Sequence, residues 1–277
     1  MKKSFIGILL SLVICFSFSM TINVNAADAA SASSADSANV ENNTFNGEII
    51  PTPEQENNYL QSLSESDREI IAQKTEAAQE FANIDGANTI GAKGANTVQA
   101  NTVQANTVQA NSAAYKISIP GTFTMYQQEN NYYCAPASVE SVLEYDTGCY
   151  YTQSDIASDL GTTSSGTDAT KIAPYLNTKQ DDNTYIRTAT PNQSTMCNDL
   201  AFTIAGWGYP CLMSICNPTG ANWHYGTNGH RLVINAVYSD DSKIQFADPL
   251  GGWEADWPCF YEKTAAIANS VCRDVIW

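Results

Sequence analysis

Histidine is nearly absent from this chain and positive charge is scarce. The 277 residues hold two histidines, and 13 Lys plus Arg against 29 Asp plus Glu, a formal charge of −16. Such an acidic surface repels nucleic acid and anionic lipid, so partners of those two classes are not expected. His224 and His230 stand six apart with no flanking carboxylate, which fits neither the helical zinc motif nor a finger spacing. No metal and no other cofactor is therefore expected. Long apolar runs are missing beyond the first 26 residues, which argues against membrane insertion. Large apolar side chains are also scarce in residues 27–52, a stretch dominated by Ala, Ser, Asn and Asp that is expected to be disordered.

What is present begins with "MKKSFIGILLSLVICFSFSMTINVNA", which has a basic start, an apolar centre and a small-residue exit. This is the pattern of a secretory signal peptide cut after Ala26, and it predicts a secreted product, extracellular or cell-wall associated. Cys15 follows Ile14, where a lipid-modified signal would carry a small residue, so lipidation is not expected. Loss of Lys2 and Lys3, with no acid removed, takes the formal charge to −18.

Residues 53–84 have helical composition. Ser66 with Glu69 has the form of a capping box, and Ile70, Ile71, Ala78, Phe81 and Ala82 approximate one apolar stripe. A lone amphipathic helix needs a partner surface, so 53–84 is read as a pro-segment that docks over the cleft, or as a spacer. Residues 85–114 contain three tandem ANTVQ units starting at Ala95. A period of five is too short for a solenoid, and the composition is that of a flexible linker.

The folded domain is placed at 115–277, where all five tryptophans fall. "YKISI" alternates like a strand, and a helix is expected to open at Cys134, with Pro136 in its first turn and Val139, Val142 and Leu143 buried. "TQSDIASDLG", "TDATKIAPYLN" and "PNQSTMCNDLAFTIAGWG" read as further helices. "CLMSI", "HRLVINAVY" after an Asn228-Gly229 turn, and "KIQFADP" read as strands. Helices first and strands second give an α+β fold, with N-terminal helices packed on a C-terminal antiparallel sheet.

Seven cysteines follow the signal region, an odd number. Six can form up to three disulfides, and the thiol left over is best assigned to Cys134, because a helix N-terminus favours a thiolate. A nucleophilic thiolate needs an imidazole, a group to orient it, and donors for an oxyanion. His230, on a strand, is a better placed base than His224, in a loop. Asp248, at the end of the next strand, can orient the ring. Gln128, six residues before Cys134, can offer its amide beside the Cys134 backbone N–H. Cleft walls are expected from loops 160–168 and 217–229.

"QENNYYCAPAS", "YTQSDIASDLGTTSSGTDATKIAPYL", "NGHRLVINAV" and "FADPLGG" occur in the order found in one branch of the papain-like cysteine peptidases. The domain resembles the bacteriocin-processing, double-glycine leader peptidases. The resemblance implies a papain-like fold, a peptide or protein substrate, Cys134 as nucleophile, His230 as base, Asp248 as orienting residue and Gln128 as oxyanion donor. It covers none of residues 27–114, the chain carries Ala135 where a glycine usually follows the cysteine, and no transporter segment is present. Two alternatives stay open: a peptidoglycan amidase or endopeptidase of related fold, and a non-catalytic binding module with Cys134 in a disulfide.

Overall fold

The computed structural model describes residues 45–85, 114–252 and 255–277. The expected signal peptide and the ANTVQ repeats lie outside the described residues. Two two-residue strands open the described chain, β1 (Phe45–Asn46) and β2 (Glu48–Ile49), followed by α1 (Pro53–Ser62) and α2 (Glu65–Asp85). Then come β3 (Lys116–Ser118), α3 (Cys134–Thr147), α4 (Gln153–Leu160), β4 (Thr167–Asp168), α5 (Ile172–Lys179), β5 (Arg187–Ala189) and α6 (Gln193–Ala201). The chain closes with β6 (Cys211–Asn217), β7 (Thr227–Tyr238), β8 (Lys243–Ala247), β9 (Phe260–Thr264), α7 (Ala265–Val271) and β10 (Cys272–Ile276).

The fold is α+β. Its main sheet runs β5-β10-β6-β7-β8-β9 with every neighbouring pair antiparallel, and β3 adds to β7 antiparallel. Alternation along the strands splits the core in two. Leu212, Val233, Ala247 and Ile276 pack with Val139, Val142 and Leu143 of α3, Ile156 and Leu160 of α4, and Leu176 of α5. The intervening residues Met213, Leu232, Ile234, Phe246 and Val275 pack with α6, α7 and Ala78 of α2. Helices therefore cover both faces of the sheet, and a period of two is what lets one strand serve both layers.

Local signals explain the element ends. Thr152 and Asn192 cap α4 and α6 through hydrogen bonds from Asp155 N and Thr195 N, and Gly148 and Gly161 end α3 and α4 in the left-handed region. The capping box expected at Ser66 and Glu69 falls two residues earlier. Ser64 accepts from Asp67 N at 3.1 Å while Asp67 accepts from Ser64 N at 3.2 Å. "TDATKIAPYLN" divides into β4, a 3-10 turn over 169–171, and α5, and the helix expected over 191–208 passes into a π-helical turn at Phe202–Trp207. Asn228-Gly229 is no turn: both residues lie inside β7, which already begins at Thr227.

Three further expectations change. Residues 45–52, expected to be disordered with the rest of 27–52, form β1, β2 and the approach to α1. They gain order from a partner rather than from their own composition, since β1 pairs parallel with β7 and β2 parallel with β4. The helical segment 53–84 does find an apolar surface, but not at Cys134. Ile71, Ala77, Ala78 and Phe81 pack against the α6 and α7 layer, with Phe81 edge-on to Phe202 at 5.8 Å, while Ile70 is exposed. Lys74 ties α2 to the sheet by donating to Thr184 O at 2.6 Å and Trp277 O at 2.7 Å. Finally, all seven described cysteines are unpaired. Cys197, Cys211 and Cys272 act as small apolar groups in one core layer, and burial pushes their thiols up, that of Cys197 to about 12.

If α2 is held by this contact, Phe81→Ala should lower stability by about 1–3 kcal/mol, less than for a fully enclosed ring. Urea unfolding followed by tryptophan fluorescence measures it. An unchanged midpoint would mean that α2 is not docked here.

Candidate active site

Three elements meet at the opening of α3. Cys134 is the first helical residue and is fully buried, and no side chain caps the helix start. His230 comes from β7, which pairs with β8 so that Val233 faces Ala247, and this register carries Asp248, one residue beyond β8, back toward the histidine. His230 Nε2 lies 2.9 Å from Asp248 Oδ1. Cys134 acts on the same ring and, with Asp248, favours its protonated form. The sulfur also accepts from Arg231 N at 3.3 Å.

Electrostatics follow from this arrangement. Burial alone would push the His230 imidazole down, but the Asp248 carboxylate and Cys134 outweigh it and raise the group to about 10. Burial would likewise raise Asp248, yet His230 and its other hydrogen bonds hold it below the usual carboxylate range. Asp248 is fully saturated. Its Oδ2 accepts from Tyr225 OH at 2.7 Å and Tyr261 OH at 2.8 Å, and its Oδ1 also accepts from Leu250 N at 2.9 Å. Both tyrosines escaped the sequence reading; a hydroxyl at a core position was the only available signal. Buried beside Asp248, each is held well above the ordinary phenol range.

Gln128 lies in the loop leading into α3, anchored by its backbone N–H to Pro249 O at 3.0 Å. Its amide Nε2 donates to Asn130 O at 2.8 Å. Asn130 O can only accept, so the nitrogen must face it, and one amide hydrogen remains for another acceptor. His224 stands apart from the pair. It is exposed, stacks on Trp257 at 5.8 Å and meets Tyr261 edge-on at 4.5 Å, and burial together with Lys263 lowers its imidazole.

The cleft is occupied by the chain itself. Gly47 lies against Cys134 so closely that a β-carbon there would collide with the sulfur. Gly47 N donates to Gly229 O at 2.9 Å, and its carbonyl accepts from Thr167 N at 3.2 Å. Gly229 has room for no side chain, because a β-carbon would strike the carbonyl of Glu48, and Gly166 presses the same segment from the other wall. Gly166 belongs to the expected loop 160–168, whereas Gly229 lies in β7 rather than in a loop. Glu48 is buried, and its carboxylate receives Arg231 Nε at 3.0 Å and Arg231 Nη2. Burial pushes the Glu48 carboxyl up and Asp274 adds to that, while Arg231 opposes both.

Among the described residues no group of three or more His, Cys, Asp or Glu side chains is arranged to hold a metal ion, and no helix is long and apolar enough to cross a membrane.

A sequence model of the Peptidase_C39 like family matches residues 121–267, more than half of the chain. The chain belongs to this family. The matched span contains Gln128, Cys134, His230 and Asp248 and begins well after Glu48. No curated protein sequence matches. Among solved structures, the peptidase domain of Streptococcus ComA, a bi-functional ABC transporter involved in quorum sensing, is 16% identical. That likeness covers 56% of this chain and 97% of that one, with a TM-score of 0.40. Xylellain, a cysteine protease from Xylella fastidiosa, is 11% identical, with 58% and 84% covered and a TM-score of 0.42. A protein described as a C39-like peptidase from Bacillus anthracis is 12% identical, with 58% and 96% covered and a TM-score of 0.40.

The titration of this family member's buried pair has a definite sign. His230 is raised, so its stabilising contribution is complete below the unfolded value near 6.5 and is lost as pH rises through about 10. Asp248 is depressed, so its contribution is present above about 3.9 and is lost as pH falls through its lower folded value. Urea unfolding at about pH 6 and about pH 10 should show the wild type losing more stability than His230→Ala. Equal losses would remove His230 from a buried ion pair.

Proposed function

We propose that the protein is a secreted cysteine peptidase in which Cys134, His230 and Asp248 form the catalytic triad and Gln128 the oxyanion donor. The observation that carries this reading is the buried His230, held by Asp248 on Nε2 at 2.9 Å and raised by Cys134 at the start of α3. A ring held protonated beside a thiolate stores the proton that the leaving group will need.

In the proposed reaction the Cys134 thiolate attacks a peptide carbonyl, forming the S–C bond and placing negative charge on the carbonyl oxygen. The Cys134 N–H and the Gln128 amide stabilise that charge. His230 delivers its proton to the departing amine as the C–N bond breaks, leaving a thioester. Water then attacks, His230 takes its proton, and the S–C bond breaks to release a carboxylate and restore the ion pair. Asp248 keeps the ring aligned and favours its charged form, with Tyr225 and Tyr261 holding the carboxylate still. Export rests on the pattern of residues 1–26.

Cleavage of a quenched-fluorescent peptide library by the purified chain tests the assignment. Cys134→Ala and His230→Ala should each lower kcat/KM by about 10⁴-fold or more. Gln128→Ala should cost about 10²–10³-fold. Asp248→Asn should cost less than His230→Ala because a hydrogen bond to the ring survives, and His224→Ala should be mild. A more severe effect from His224→Ala than from His230→Ala would overturn the choice of base. Digestion of purified sacculi in place of peptides would favour the amidase reading.

A further inference from the structure

The segment over Cys134 is held by more than backbone pairing. Glu48 reaches a guanidinium that is itself completely enclosed, and the network continues through alternating charges. Arg231 Nη1 donates to Asp274 Oδ1 at 2.5 Å, Arg187 Nε donates to Asp274 Oδ2 at 2.7 Å, and Arg187 Nη1 meets both oxygens of Glu56 in α1 at 2.8 and 2.7 Å. Asp274 and Arg187 belong to the sheet. Glu48 alone arrives on the segment that lies across the nucleophile. If that segment leaves, Arg231 Nε loses its acid and Nη2 keeps only Asp274 Oδ2 at 3.3 Å, so a guanidinium that had two carboxylates is left with one. Arg231 therefore marks a fixed carboxylate-reading position, one residue along a bound peptide from the position facing Cys134.

The resident segment is not presented for attack. The carbonyl of Gly47 is taken by Thr167 N, and that of Glu48 lies against Gly229. The segment covers the thiol as an intact occupant, with the chemistry of a ligand for the cleft.

We propose that Arg231 is a specificity-determining residue of the cleft, selecting peptides with an acidic side chain next to the residue over Cys134, and that Glu48 is the resident ligand such substrates must displace. The proposal rests on the cysteine-peptidase reading only for the cleavage step; binding at Arg231 stands apart from it.

The test compares the full chain with its isosteric Glu48→Gln variant, using hexapeptides with the sequence of Phe45–Ile50 that carry Glu or Gln at the fourth position. Wild type should be slow to alkylate at Cys134, with iodoacetamide reaching exposed Cys149 first, and Glu48→Gln should speed Cys134 labelling roughly tenfold or more, read by mass spectrometry. The Glu peptide should protect Cys134 of Glu48→Gln from labelling, and the Gln peptide should need roughly 30-fold higher concentration. Cleavage of a quenched-fluorescent peptide library by Glu48→Gln should show the same preference for Glu over Gln in kcat/KM, and Arg231→Gln should abolish the preference in protection and cleavage alike. Equal protection by both peptides, or unchanged Cys134 labelling in Glu48→Gln, overturns the proposal even if peptides are cleaved. Selective protection by the Glu peptide with no cleavage of the library keeps it and removes the peptidase reading instead.

Discussion

A guanidinium taken out of water must be met by carboxylates, and much of this structure is arranged around that demand. Arg231 sits completely buried in β7, so it needs Asp274 from β10 across the intervening β6 and Glu48 from the N-terminal segment. Asp274 in turn holds Arg187 of β5, and Arg187 holds Glu56 of α1. A buried pair of this kind adds little net stability over an apolar pair, yet removing one partner is costly. Its effect is to specify which strands and which segment belong together.

The same strand carries His230 one residue earlier, so the alignment set by Arg231 also sets the candidate site. His230 meets Asp248 because β8 pairs with β7, and Cys134 because α3 packs on the face of the sheet lined by Leu212, Val233 and Ala247. Two tertiary arrangements thus converge on one imidazole. Neutral Tyr225 and Tyr261 saturate the carboxylate, which lets it stay ionised in full burial and keep the ring charged. The geometry connects folding to chemistry: the pair that would store a proton for the proposed reaction is held by the register of the sheet.

Residues 45–85 serve two separate contacts. The helical part docks through Phe81 and Ala78 on the layer of α6 and α7, while the short strands before it enter the cleft. An amphipathic stripe predicts that a helix will find an apolar surface, but it does not say which surface. The cleft has narrow glycine walls at Gly166 and Gly229 and accepts an extended backbone far more readily than a helix.

Much of the catalytic-type constellation was legible in the chain alone, because each of its parts leaves a local mark. With two histidines the choice of imidazole was short, a proline just inside a helix start located Cys134, and Asp248-Pro249 marked the end of a strand. Composition and periodicity likewise revealed α3, α4, β6 and β8, of which α3 and β6 are buried along nearly continuous runs. What stayed hidden depends on distant partners. The polar, glycine-containing strand at 45–49 gains order only from β7 and β4, β10 carries Arg273 and Asp274 in a pattern that reads as exposed until Arg231 and Arg187 are beside it, and the odd cysteine count suggested bridges that the fold does not make. Local propensity and side-chain chemistry are properties of a few neighbouring residues and can be read along the chain. The pairing of Glu48 with Arg231, 183 positions apart, is decided only when packing removes both from water and brings Glu48 to a guanidinium that Asp274 already holds on its other side.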